Sequence, residues 1–364
     1  MVTAMDTVGK NTSAHTKRAV QLGPRITEAG GENVHKALTR DGELLAVKKV
    51  KVTLKEEDKT LVEELQMEIK ILSTTSHQNI VQYRSCELVQ PKYRTNETCE
   101  LRLYMDFVHH DTLETRYTEF PLSERQTRRY TRDILSGINY LHEKNIVHRD
   151  IRCANIWVDD TGVCKLVNFG KAKELKHRRE KIIISAEAQS FTSTGYPHWM
   201  APEIAGKSEP YQMPVDIWSL GCTVLEMLTR ERPWGKDVEE LDVITELNSH
   251  QIPTIPATLS EAARNFLVKC LQPKPENRPT AKKLLDDPFV NPEELDQLGS
   301  EDSSIPFVPE DDTLESETNS EDSSNDSASE STVEQEFCLE LTVDEMSSLV
   351  AKELEDREDD PQKQ

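Results

Sequence analysis

His148-Arg149-Asp150-Ile151-Arg152-Cys153-Ala154-Asn155 follows a long amphipathic stretch and a short apolar pair, Ile146-Val147. Tyr130, Ile134, Ile138 and Leu141 recur at helical spacing upstream, so the octapeptide reads as a loop entered from a helix through a short strand. A carboxylate at 150 and an amide at 155 fit one loop that serves both a nucleophile and a metal.

Working back from this loop, residues 20–50 are strand-like, with Asp41-Gly42 as a hairpin turn between 34–38 and 44–49. Leu61, Leu65, Ile69 and Leu72 place a helix over 58–73, and further strand segments are expected at 80–83 and 101–108. Working forward from Leu122, helices are expected around 215–228, 239–247 and 260–270. The order predicts an α+β fold of two lobes, a small β-rich one followed by a large α-rich one.

The 364 residues carry a net charge of −22. Residues 293–364 hold 25 acidic and 3 basic side chains, which accounts for all of it and leaves the remainder neutral. A neutral body beside an acidic tail argues against nucleic acid or an anionic membrane surface as partner. Residues 1–17 lack the apolar run of a signal peptide, and no stretch is long and apolar enough to span a membrane, so the expected location is cytoplasmic, with the nucleus as the other choice. Seven scattered cysteines without metal spacing suit reduced thiols.

The expected organisation is a flexible N-terminus (1–17), one folded unit (18–292) and a disordered, Ser-rich acidic tail (293–364). Within the tail, Thr342 and Glu345 have capping-box spacing, and Val343, Met346, Val350 and Leu354 share a face. A helix over 342–356 either folds on a partner or is merely nascent. Ser320 and Ser323, followed by acids, suit an acidophilic modifying enzyme.

Beyond the octapeptide come Asn168-Phe169-Gly170, Trp199-Met200-Ala201-Pro202-Glu203, Asp216-Ile217-Trp218-Ser219-Leu220-Gly221 and Asn277-Arg278-Pro279. Upstream stand Leu45-Ala46-Val47-Lys48 and, in the first helix, Glu68. In this order the segments resemble the protein kinase superfamily of the Ser/Thr type over roughly residues 20–290. His77-Gln78-Asn79-Ile80-Val81 and Ile217-Trp218-Ser219-Leu220-Gly221-Cys222 bring it nearest to the MAP kinase kinase kinases of the MEK-kinase group.

The resemblance implies a bilobal protein kinase fold, ATP and Mg2+ as cofactors, and a protein substrate, a MAP kinase kinase. It makes Asp150 the acceptor of the substrate hydroxyl proton, Lys48 the holder of the α- and β-phosphates, Glu68 the ion-pair partner that aims Lys48, and Asn155 and Asn168 the metal ligands. Arg152 stands where a lysine is usual and keeps its charge. Thr27, Glu28, Ala29, Gly30, Gly31, Glu32 and Val34 fall on the phosphate-facing loop. Ala46, Met105, Asp106, Val108 and Trp157 fall around the adenine, where Trp157 either stacks or crowds the nucleotide. Glu203 is implied to pair with Arg278. Ser190, Thr192, Ser193 and Thr194 are candidate phosphosites whose phosphate would meet Arg149.

The chain departs from the family at three further places. Thr27, Ala29 and Glu32 occupy the three glycine positions of the phosphate loop, where a Cβ impedes close approach of backbone amides. Asn168 replaces the aspartate that chelates magnesium, and a neutral amide oxygen is a weaker ligand. Tyr196 stands where a threonine is usual. Two functions are therefore expected: a Ser/Thr kinase of reduced activity, or a pseudokinase that scaffolds or regulates a partner kinase or adaptor.

Overall fold

The computed structural model describes residues 20–27, 33–53, 59–90, 98–108, 112–175, 197–205, 212–291 and 337–341. Strand β1 (Val20–Thr27) pairs antiparallel with β2 (Val34–Thr39), and β2 with β3 (Leu44–Thr53). Gly42 makes the turn between β2 and β3 at φ +84°, a left-handed conformation that side chains with a Cβ rarely adopt. Helix α1 (Lys59–Thr74) follows and buries Leu65, Ile69 and Leu72, the apolar face read from the sequence. Strands β4 (Tyr83–Gln90) and β5 (Thr98–Asp106) complete the small lobe, with β5 between β3 and β4.

The segment expected as a strand at 80–83 is displaced. Ile80 instead lies opposite Leu166 of the large lobe, whose carbonyl accepts the Val81 N–H and whose N–H donates to the Asn79 carbonyl, and the strand begins only at Tyr83. The reason is the packing of one lobe on the other: Cys86 and Leu88 are the positions that the sheet buries, whereas Ile80 and Val81 are buried against the large lobe.

In the large lobe α2 (Leu113–Glu119) precedes α3 (Glu124–Glu143), whose start is fixed by a capping box between Ser123 and Gln126. Tyr130, Ile134, Ile138 and Leu141 of α3 are buried as their spacing demands. Short strands β6 (Ile146–Val147), β7 (Ile156–Val158), β8 (Cys164–Leu166) and β9 (Lys173–Glu174) frame residues 148–155 and 168–171, with β6 paired to β9 and β7 to β8. Then come α4 (Pro202–Ala205), α5 (Pro214–Thr229), α6 (Glu240–Asn248), α7 (Glu261–Cys270) and α8 (Ala281–Leu285). Helix α5 is buried on every side from Val215 to Met227, which makes it the axis of the lobe. One apolar cluster runs from Val34, Ala46 and Ile69 through Phe169 to Trp218, Phe266 and Phe289. Each large aliphatic or phenyl side chain among them, fully buried, contributes about 1.5–3 kcal/mol.

The bilobal α+β fold is thus as expected, with one addition. Composition leaves the tail without structure apart from the helix expected over 342–356, yet residues 337–341 form β10 (Phe337–Leu341), antiparallel to β4 at the edge of the small-lobe sheet. Phe337-Cys338-Leu339-Glu340-Leu341 is an apolar run inside an acidic segment, and the β4 edge offers it a backbone partner. The helix expected over 342–356 lies outside the described residues.

Candidate active site

Lys48 leaves the middle of β3, where its register partner on β5 is Leu103. Its Nζ lies 3.0 Å from both carboxylate oxygens of Glu68 on α1, and both residues are buried. Removing either partner would strand a charge away from water, so the pair holds α1 against the sheet as well as setting the amine. Oε1 of Glu68 also accepts the backbone N–H of Phe169 at 3.2 Å, which ties α1 to the Asn168-Phe169-Gly170 turn. The Phe169 ring packs edge-on against His148 with centroids 4.8 Å apart.

His148 and Arg149 are fixed through their backbone. Asp216, at the start of α5, accepts the N–H of His148 at 2.9 Å on Oδ2 and that of Arg149 at 2.8 Å on Oδ1. Arg149 needs this hold, because its φ of +70° is a conformation that costs a non-glycine residue energy. Burial would push the Asp216 carboxyl up, but the hydrogen bond from His142 at 2.8 Å, the two histidines and the Arg149 N–H outweigh it and hold it below the usual carboxylate range. Burial pushes His148 down. That agrees with its Nδ1 accepting the Asp150 N–H at 3.3 Å while Nε2–H donates to the Val167 carbonyl at 3.1 Å.

Asp150 is flanked by two cations on separate oxygens, with Nε of Arg152 at 3.5 Å from Oδ1 and Nζ of Lys171 at 3.3 Å from Oδ2. It opens onto a small cleft lined by Lys171, Met200, Ile204, Val215 and Ser219. Lys171 escaped the sequence reading; its place directly after Asn168-Phe169-Gly170 was the signal.

Asn155 Nδ2 donates to the backbone carbonyl of Asp150 at 2.9 Å, which turns its Oδ1 toward Asn168. Asn168 donates its own Nδ2 to that oxygen at 3.3 Å. On the other side, a Cβ added at Gly170 would sit 3.6 Å from Asn168 Oδ1, 3.6 Å from Glu68 Oε2 and 3.9 Å from Lys48 Nζ. One hydrogen bond therefore joins the two residues read as metal ligands, with an N–H where a carboxylate would present a lone pair. A tightly held divalent cation takes carboxylate oxygens, and this pair of neutral amides does not fit one.

Met105 and Val108 are buried, and Met105 faces Ala46 across the β3–β5 ladder. The Asp106 N–H is engaged by the Gln82 carbonyl at 2.9 Å. Trp157, in β7, is buried and bridged to Thr112. Thr27 and Val34 face each other at the end of the β1–β2 ladder where the chain passes from one strand to the other. Glu28, Ala29, Gly30, Gly31 and Glu32 lie outside the described residues, as do Ser190, Thr192, Ser193, Thr194 and Tyr196.

Two further arrangements brace the site. Arg278 grips Glu203 in a fork, with Nη1 to Oε1 at 2.7 Å and Nη2 to Oε2 at 2.8 Å, over the face of Trp218. Glu226, inside α5, accepts the Tyr117 hydroxyl at 2.9 Å, the Trp199 Nε1–H at 2.8 Å and the Cys153 N–H at 3.4 Å. It thereby links α2, the loop and the residues after 196. An acid inside the apolar run of α5 was the signal in the sequence.

Among proteins with curated names, mitogen-activated protein kinase kinase kinase 1 of Arabidopsis thaliana is 38% identical over 273 residues, covering 74% of this chain and 42% of the relative. The Arabidopsis kinase kinase kinase YODA is 42% identical over 257 residues, 69% of this chain and 27% of the relative. Mitogen-activated protein kinase kinase kinase 1a of Physcomitrium patens is 39% identical over 266 residues, 72% of this chain and 32% of the relative. The chain thus spans less than half the length of these relatives. The sequence model of the protein kinase domain matches residues 29–290, more than two thirds of the chain, and the chain belongs to the protein kinase family.

Proposed function

We propose that residues 18–292 form an ATP-dependent Ser/Thr protein kinase of the MAP kinase kinase kinase type, acting in the cytoplasm on a MAP kinase kinase. The observation that carries this reading is the continuous link from Lys48 through Glu68 to Phe169, next to an Asp150 that faces an open cleft. No helix among the described residues is long and apolar enough to cross a membrane. The names of the relatives supply the substrate class.

ATP brings the γ-phosphoryl group. Lys48 would hold the α- and β-phosphates, its amine aimed by Glu68. Asp150 would accept the proton of a serine or threonine hydroxyl as that oxygen bonds to the γ-phosphorus, the bond to the β-phosphate oxygen breaks and ADP leaves. Arg152 keeps the Asp150 carboxylate turned toward the cleft. No step is assigned to a cation between Asn155 and Asn168.

The test is transfer of radiolabelled phosphate to a MAP kinase kinase by the purified chain and by Asp150→Asn. Loss of at least about a hundredfold in the variant, with an unchanged melting temperature, is expected. Equal transfer by both proteins would show that Asp150 is not the base.

A further inference from the structure

We propose that Lys171 is a phosphate-binding cation at the point of transfer, supplying to the terminal phosphate the positive charge that the pair of Asn155 and Asn168 no longer recruits as a divalent ion. This rests on the nucleotide-site reading above and adds to it a residue and a consequence, binding of ATP without metal.

Three observations combine. First, the pair of amides is closed on itself, so the place where countercharge is ordinarily held contains an N–H···O bond between neutral groups. Second, among the described residues Lys171 lies on one oxygen of Asp150 and Arg152 on the other. The Arg152 side chain is 5% exposed and packed in place, whereas that of Lys171 is 27% exposed and lines the cleft. Third, a lysine amine on a four-carbon stem is a movable point charge that suits a phosphate oxygen as well as a carboxylate. With Nζ 3.3 Å from Asp150 Oδ2, a phosphoryl group presented to that carboxylate comes within reach of the amine.

The charge count supports the exchange. With an aspartate at 168 a divalent cation would be needed to offset both the carboxylate and the phosphates. With Asn168 the carboxylate is absent, so Lys48, Arg152 and Lys171 meet one acid fewer beside Glu64, Glu68 and Asp150. Lys171 distinguishes the terminal phosphate from the inner ones because it lies at Asp150, while Lys48 is bonded to Glu68.

The experiment is calorimetric titration of the full chain, Lys171→Met, Lys171→Arg and Lys48→Met with ATP and with ADP, each in excess chelator and in magnesium. The wild type is expected to bind ATP in chelator. Lys171→Met should lose about tenfold for ATP and less than about twofold for ADP, and Lys171→Arg should retain most of the affinity. Absence of ATP binding in chelator, an equal loss for ATP and ADP, or no loss in Lys171→Met would each overturn the proposal. Unchanged ATP affinity in Lys48→Met would instead overturn the nucleotide-site reading on which it rests. Melting temperatures, expected to match the wild type for the Lys171 variants and to fall for Lys48→Met, whose loss leaves Glu68 buried without its partner, separate loss of binding from loss of fold.

Discussion

Asn168 donates its side-chain N–H to the side-chain oxygen of Asn155 over 3.3 Å, so the two residues that would share a metal share a hydrogen bond. Replacing the donor by a carboxylate reverses the situation. In Asn168→Asp, two oxygens face one another, and their repulsion is relieved only by a cation. Magnesium-dependent phosphate transfer is expected to rise by about a hundredfold to a thousandfold, equivalent to roughly 3–4 kcal/mol of transition-state stabilisation. The melting temperature should also become magnesium-dependent, since an ion that binds only the folded chain stabilises it. A variant with unchanged rate and no response to magnesium would place the limiting defect elsewhere.

The fork between Arg278 and Glu203 predicts a stability effect that charge alone would not. The Arg278 side chain is fully buried and donates further to the carbonyls of Gln272, Pro214 and Pro273. A lysine keeps the charge but cannot make the fork or reach those carbonyls together. Arg278→Lys should cost about 3 kcal/mol in urea unfolding of the large lobe. A cost below about 1 kcal/mol would mean that the fork adds little to simple ion pairing.

Glu226 predicts a dependence on pH. Burial raises its carboxyl to about 7, against the hydrogen bonds from Trp199, Tyr117 and Cys153, which lower it. A folded-state value above the ordinary 4.5 means that the folded chain holds a proton the unfolded chain has released. The stabilising contribution is full below about pH 4.5 and is lost as pH rises through about 7. Buried His148, pushed down, acts in the opposite sense, so the informative quantity is the difference between wild type and Glu226→Gln. Between pH 5 and pH 8 that difference should shift in favour of the variant by on the order of 2–3 kcal/mol. Parallel denaturation curves across that range would refute a titrating Glu226.

The fold was legible where periodicity and punctuation agree. Leu65, Ile69 and Leu72 announced α1, and Asp41-Gly42 announced the β2–β3 turn, because each depends on a local rule. The strand at 83–90 was misplaced because Ile80 and Val81 are as apolar as strand residues, and only the packing of one lobe on the other decides what buries them. Lys48, Glu68, Asp150 and Asn155 were found by the order of motifs. Lys171 and Glu226 were not, since their neighbours come from segments far away in the chain, and a lysine or a glutamate is by itself an ordinary surface residue. The closed pair of Asn155 and Asn168 was half legible. The sequence exposed the missing carboxylate, but only the Asn155 bond to the Asp150 carbonyl decides which way the amides face.

The pairing of β10 with β4 concerns the one part of the acidic tail with described structure. The ladder runs antiparallel from Phe337 opposite Gln90 to Leu341 opposite Cys86, and it occupies the outer edge of β4. Without it, the backbone groups of that edge would face water and be open to pairing with another strand. A proline at Leu339, opposite Leu88, lacks the N–H a ladder needs and disfavours the strand at its centre. In Leu339→Pro, hydrogen exchange of the amides over 86–90 should accelerate by about tenfold or more, while the amides of β3 and β5 keep their protection. Light scattering should then show a shift toward higher mass as the uncovered edge pairs between copies. Both effects should be reversed by a peptide spanning 334–344 added in trans. Exchange over 86–90 that is the same in variant and wild type would show that the tail strand does not cover this edge in solution.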